Sequence, residues 1–212
     1  MRKLTTTSYA LLGLLALREW TAYELVEQMR RSLGYIWPRA QSGVYAELHA
    51  LVERELTTSR VEQVGGRIRT CYQITPTGRA ALAGWVVAPP TASRFESEAA
   101  LQLIFSDQAG TDQALAAVDA LDRDARARQE ELLEVFAEYA DGGGRFRDRA
   151  HVSALAARLY HEHYAAVGRW ADWARAEIAS WPATDSRAAH RGAGVARSNR
   201  ADFGGRSGNE PG

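Results

Sequence analysis

Residues 39–79 read RAQSGVYAELHALVERELTTSRVEQVGGRIRTCYQITPTGR, and the patterning within them decides the fold. A helix is predicted from Ser42, where Val44, Leu48 and Leu51 recur at four- and three-residue spacing and mark a buried stripe. Gln41, Ser42, Tyr45, Ala46 and His49 then fall on the opposite side. Two strands follow, one holding Arg60, Val61 and Glu62 and the other covering residues 68–74. Gly65 and Gly66 join them, since glycine accepts the positive φ of a tight hairpin turn. In the second strand Ile68, Tyr72 and Ile74 share one face and Arg67, Arg69 and Cys71 the other, a cationic face expected to be open to phosphate. Thr75, Pro76 and Thr77 open a further helix to about Val87, because proline suits a first helical turn.

Working outward towards the N-terminus, Thr7 or Ser8 is the predicted cap of a helix reaching about Arg18, with Tyr9, Leu12, Leu15 and Ala16 near one face. Thr21, three residues before Glu24, forms a capping box that starts a second helix. This helix is expected to end near Leu33 and Gly34, and Pro38 opposes continuation. Three helices, a hairpin and a fourth helix follow the order of a winged helix-turn-helix. In that arrangement the third helix, apolar on one side and small or polar with a tyrosine on the other, suits entry into a DNA major groove.

Residues 88–91 read as a linker, which divides the chain into a winged-helix domain at 1–87, a linker at 88–93 and a helical domain at 94–181. Helical stretches are predicted at 94–105, 111–139 and 151–181. In the middle one Val118, Leu121, Ala125, Arg128, Leu132, Val135 and Tyr139 form a heptad seam with one polar intrusion. Val152, Leu155, Leu159, His163, Ala166, Trp170 and Trp173 do nearly the same in the last. Gly142, Gly143 and Gly144 separate the two, so an antiparallel pair is expected. Such stripes can be intramolecular core, yet two helices cannot cover both of their own seams, and a partner subunit completes the burial. The expected fold class is therefore mainly α with a small β-hairpin wing: a winged helix-turn-helix plus a C-terminal helical dimerisation domain. Residues 182–212 hold almost no large apolar groups and are expected to be a disordered tail.

The 212 residues are 46% hydrophobic and 25% charged, ordinary values for a soluble globular protein. The longest apolar run, residues 9–17, is too short to span a bilayer. Although it follows Arg2 and Lys3, it continues into Arg18, Glu19 and Trp20 with no small-residue cleavage pattern, so no membrane partner and a cytoplasmic location are expected. The formal net charge is zero, but it is unevenly distributed. Residues 1–87 carry 11 Lys and Arg against 7 Asp and Glu, residues 88–181 carry 10 against 16, and the tail carries 5 against 3. The basic excess thus lies on the winged-helix segment, and an acidic second half would keep DNA on one face.

Cys71 is the sole cysteine, which excludes a disulfide within the chain and any multi-cysteine zinc site. It lies in phase with the wing arginines, where an ordinary half-buried thiol is expected. His161 and His163 flank Glu162, but two residues apart on a helix they diverge by about 200°, and no metal is expected. A phosphate-binding glycine loop, an HExxH motif, a nucleophile elbow and an acid-base cluster are all missing from the sequence, so neither an enzyme nor a cofactor is expected.

The start LTTTSYALLGLLAL at 4–17, the helix TAYELVEQM at 21–29, SGVYAELHALV at 42–52, and Tyr72, Ile74, Thr75, Gly78 and Arg79 at the close of the wing together resemble the PadR family of transcriptional regulators. The resemblance covers about residues 4–181, in motif order for the first half and in architecture for the second. It implies a homodimer that binds double-stranded operator DNA at an inverted repeat, usually as a repressor released by a small molecule. It places Arg39, Gln41, Ser42, Tyr45 and His49 at the groove and Arg67 and Arg69 on the wing. Trp85, Phe95, Tyr164, Trp170 and Trp173 are the candidate walls for a planar aromatic effector. Two positions depart from the family pattern: Ala46 stands where proline is usual, and Glu55 stands where glycine is usual, so either Glu55 takes a strained left-handed backbone or the helix ends differently. An alternative reading of the same fold is a winged-helix adapter that binds proteins and no DNA.

Overall fold

Thr5, upstream of the predicted Thr7 or Ser8, starts the first helix of the computed structural model. Its hydroxyl accepts the Ser8 backbone N–H while the Ser8 hydroxyl accepts the Thr5 N–H, a reciprocal box that satisfies two donors at the start of α1 (Thr6–Leu15). The structure describes residues 3–34, 37, 41–93, 95–140 and 146–181, and of the residues in its helices and strands the side chains of Gln41, Ser42, Val64 and Arg67 are not described. Arg39, the triple glycine at 142–144 and the tail at 182–212 lie outside the described residues. Contacts divide the chain into two compact units, one up to residue 94 and one from Phe95 onward.

In the first unit α1 ends at Leu15, short of Arg18, and buries Leu11, Leu12, Leu14 and Leu15. Trp20 and Thr21 form a short strand, β1 (Trp20–Thr21), which the sequence reading missed. Trp20 is fully buried and its indole N–H donates to the Leu14 carbonyl at 2.8 Å. Thr21 then caps α2 (Ala22–Gln28) through the expected box with Glu24, and the helix continues as a π turn, Met29–Leu33. α3 (Gln41–Glu53) buries Val44, Leu48 and Leu51, as their spacing predicts.

Of the two outcomes open to Glu55 the chain takes the left-handed one, with a φ of 57°. The turn is held by Leu56 N–H donating to the Leu51 carbonyl at 3.0 Å and by the Thr75 hydroxyl donating to the Glu55 carbonyl at 2.8 Å. Glycine carries no Cβ penalty in that conformation, so Glu55→Gly should stabilise the protein by about 1 kcal/mol, read as a higher thermal midpoint. A lower midpoint would show that the Glu55 side chain contributes more than the strain costs.

β2 (Thr57–Val64) and β3 (Arg67–Ile74) pair antiparallel in register from Thr57↔Ile74 to Val64↔Arg67. Gly65 and Gly66 turn the chain with φ of 56° and 79°. β1 adds to the other side of β3, giving a three-stranded sheet ordered β1-β3-β2. Thr75 caps α4 (Pro76–Val87), with proline in the first turn as expected. A Cβ at Gly78 would lie 2.1 Å from the Leu56 carbonyl oxygen, so α4 and the turn that leads into β2 can meet there only through glycine.

The second unit contains α5 (Glu98–Ile104), which starts later than predicted because Ser97 supplies the cap, then α6 (Thr111–Ala140) and α7 (Ala150–Ala179). Its core joins Ala114 and Val118 to Ala171, Ala174 and Ile178, with Leu103, Leu115 and Trp170 packed around them. Ala125 and Leu132 continue the buried side of α6. The face that α7 buries is not the seam anticipated from sequence: Leu155 and Leu159 are 74% and 64% exposed, and Val152 and Trp173 are also exposed. Charge fixes the register of the pair. Asp122, 5% exposed, receives Arg175 Nη2 at 2.7 Å and Arg126 Nε at 3.0 Å, while Arg175 also donates to Asp119 at 2.8 Å and to Asp172 at 3.1 Å. Among the described residues no helix is long and apolar enough to cross a membrane.

Candidate nucleic-acid interface

With Val44, Leu48 and Leu51 turned inward, α3 presents Tyr45, Ala46 and His49 outward, as the helical spacing requires. Gln41 and Ser42 lie at the start of the same helix. Glu47, an unwelcome charge on a DNA-facing helix, is turned aside. Its carboxylate accepts the Thr5 hydroxyl at 2.9 Å and also the Ser8 hydroxyl, so it ties α3 to the cap of α1. Because Ser8 is fully buried, Glu47→Ala should remove an acceptor that water cannot replace and cost about 1–2 kcal/mol in thermal unfolding. An unchanged midpoint would mean that the two hydroxyls satisfy each other unaided.

The wing departs from expectation. Counting outward from the two-glycine turn puts Glu62 directly opposite Arg69 and Arg60 opposite Cys71. Glu62 accepts Arg69 Nε at 3.1 Å and Nη2 at 3.0 Å, and its other oxygen lies 2.7 Å from Arg60 Nη2. Arg60 also donates to Glu19 at 2.9 Å. Two of the N–H groups of Arg69 are thus engaged within the wing, while its side chain remains half exposed; the Arg67 side chain is not among those described. Arg69, followed by the Cys71 thiol, holds the Glu62 carboxyl below the ordinary carboxylate range.

Cys71 is buried beneath this network, and burial, then Glu62, push its thiol pKa up. That makes it a poor nucleophile and a poor redox centre. Glu19, Glu62 and Cys71 do bring their ligand atoms within 4.8 Å of one another. Arg60 and Arg69 already supply the positive charge there, so the chemistry is that of an ion-pair network and not of a metal site.

The aromatic candidates separate. Trp85 stacks on Tyr9 in the first unit, with centroids 5.0 Å apart and planes 7° from parallel. In the second unit Phe95 meets His163 edge-on at 6.1 Å, and His163 meets Tyr164 at 5.3 Å, which brings Phe95 and Tyr164 to one locality. Trp170 packs on the Ala114 and Val118 cluster, and Trp173 is exposed along α7. His163 was read from sequence as a seam residue, and its place between two aromatics became visible only in the fold. Two residues earlier and on the other side of α7, His161 faces Phe136 at 6.3 Å and keeps a buried Nδ1 without a hydrogen-bond partner.

Residues 11–84 match the model of the Transcriptional regulator PadR-like family. The chain is 30% identical over 80 residues to the negative transcriptional regulator PadR of Bacillus subtilis (strain 168), an alignment covering 37% of this chain and 44% of that protein. The matched segment thus spans less than half of the curated relative. Among solved structures, Bacillus subtilis PadR in complex with operator DNA superposes with a TM-score of 0.70 at 21% identity, covering 82% of this chain and 99% of that one. The same protein in complex with p-coumaric acid gives 0.64 at 21% identity, covering 83% and 100%. At that identity the superpositions establish the fold: a mainly helical chain with a small antiparallel sheet in the PadR arrangement. Over residues 11–84, the segment that builds the outward face of α3 and the wing beside it, the chain carries a domain of the PadR-like transcriptional regulator family.

Proposed function

We propose that the chain is a homodimeric, cytoplasmic DNA-binding transcriptional regulator that represses by occupying an inverted-repeat operator and is released by a small planar effector. The observation that carries this reading is α3: apolar on its inner stripe, with Tyr45, Ala46 and His49 outward and Glu47 drawn aside to Thr5 and Ser8. Arg39, Gln41, Ser42, Tyr45 and His49 make the groove contacts, and Arg67 adds a phosphate contact from the wing. The exposed stripe of Val152, Leu155, Leu159 and Trp173 on α7 supports pairing through the second unit. The pair of recognition helices would then lie about 34 Å apart on successive major grooves.

The Bacillus subtilis relative solved with p-coumaric acid supports an effector of that shape, with Phe95 and Tyr164 as stacking surfaces and Trp170 and Trp173 as further walls in the second unit, while Trp85, stacked on Tyr9, is a separate candidate in the first. Such a ligand releases DNA only if it binds the released geometry more tightly than the bound one. Footprinting on the DNA immediately upstream of the encoding gene, across a salt series, tests the core of the proposal. Two symmetric protected half-sites are expected. A well-folded dimer that protects nothing there or in a random-site selection would rule out DNA binding and leave the adapter reading.

A further inference from the structure

One face of the wing is organised around a single carboxylate. Counting from the turn, the pairs Val64↔Arg67, Glu62↔Arg69 and Arg60↔Cys71 follow one another on that face of the β2 and β3 ladder. Residues 57–74 contain Arg60, Arg67 and Arg69 against one acid, Glu62. The Glu62 side chain is 21% exposed, whereas those of Arg69 and Arg60 are 50% and 65% exposed, so the carboxylate lies low and the two guanidiniums stand at the surface.

The contacts are specific in direction. One Glu62 oxygen accepts Arg69 Nε at 3.1 Å and Nη2 at 3.0 Å, and the buried Cys71 thiol donates to the same oxygen at 3.5 Å. The other oxygen lies 2.7 Å from Arg60 Nη2, which also donates to Glu19 at 2.9 Å. The fork of N–H groups on a guanidinium grips a phosphate as readily as a carboxylate. Glu62 therefore occupies the Nε and Nη2 edge of Arg69 that a phosphate would use, while the remainder of that half-exposed group still faces solvent.

We propose that Glu62 competes with the DNA backbone for Arg69 and Arg60, and so sets how strongly, and with what salt dependence, the wing holds a duplex. This rests on the DNA-binding reading above. It leaves untouched the contact assigned to Arg67, whose register partner is the uncharged Val64. When a phosphate takes the Arg69 edge, the carboxylate it displaces regains a counterion, which offsets the one released from the DNA. The two arginines then add little to the charge-driven part of binding.

The test follows the affinity of the full chain for a duplex recovered by random-site selection, using fluorescence anisotropy from about 50 mM to about 0.5 M salt. Glu62→Gln keeps the side-chain shape and removes the charge. It should bind about tenfold more tightly at the low-salt end, steepen the slope of log affinity against log salt by about one, and lose its advantage at the high-salt end. Arg69→Gln should leave the slope of the wild-type chain nearly unchanged but lower it by about one in the Glu62→Gln chain. Circular dichroism and thermal unfolding establish that each variant is folded. Should Glu62→Gln not fold, Glu19→Gln, which frees Arg60 alone, should shift affinity and slope in the same direction by a smaller amount. An ion-pair network that only stiffens the hairpin would move the thermal midpoint and leave the slope alone. A folded variant of either carboxylate with the wild-type slope, or a full unit lost on Arg69→Gln in the wild-type chain, would overturn the proposal. A wild-type chain that binds no duplex would overturn the DNA-binding reading as well, so the two failures are distinguishable.

Discussion

Leu155→Glu combined with Leu159→Glu should turn a dimeric protein into a monomer in sedimentation velocity and weaken operator binding at least about a hundredfold. The two leucines are the most exposed large apolar groups on α7, and with Val152 and Trp173 they line about 30 Å of helix. A stripe of that length is more than a lone chain usually leaves in water. Each buried leucine contributes about 1.5–3 kcal/mol, and a glutamate in its place must also be desolvated. DNA affinity falls with the dimer because the second half-site is engaged at the high local concentration that only the linked pair provides. The helix signal should persist, since neither leucine packs in the Ala114, Val118 and Ile178 core. A folded wild-type monomer at micromolar concentration, or a double variant that stays dimeric, would sink the assignment of this stripe to the subunit interface.

Arg175→Ala should destabilise the protein by about 2 kcal/mol at neutral pH. Breaking a buried pair typically costs about 3–5 kcal/mol, but the Arg175 side chain is 33% exposed and Arg126 stays on Asp122, so the lower figure applies. The penalty depends on pH in a defined direction. Burial raises the Asp122 pKa, but hydrogen bonds from Arg175 and Arg126 outweigh it and hold the carboxyl below its ordinary value. The native state therefore binds fewer protons than the unfolded chain near pH 4. The stability due to this carboxylate is complete above the ordinary aspartate value of about 3.9 and is lost as pH falls through the depressed native value. The gap between wild type and Arg175→Ala in denaturant unfolding should shrink over that acid range. A gap that stays constant to pH 2 would show that Arg175 acts through packing and not through charge.

How much of this was legible beforehand depends on how local the controlling interactions are. The Thr21 to Glu24 box, the stripe of α3, the two-glycine turn and the Thr75 and Pro76 start of α4 all follow from residues within a few positions of one another. The Glu62 and Arg69 pair was within reach too, since counting back from Gly65 and Gly66 sets them opposite. Treating one strand alone as a cationic face concealed it. The short strand of Trp20 and Thr21 could not be read locally, because its pairing partners Tyr72 and Cys71 lie some fifty residues further along the chain.

By itself the sequence determined a winged helix followed by long helices, with Tyr45, Ala46 and His49 on the outward side of α3, because caps, turns and helical periodicity act over a few residues. Only the tertiary structure decided which groups remain available on those elements. It drew Glu47 to the cap of α1, tied Arg60 and Arg69 to Glu62 and Glu19, and turned Leu155 and Leu159 outward while Ala171, Ala174 and Ile178 took the core. Those choices depend on partners far apart in the chain, where charge pairing and burial are settled by packing and not by spacing.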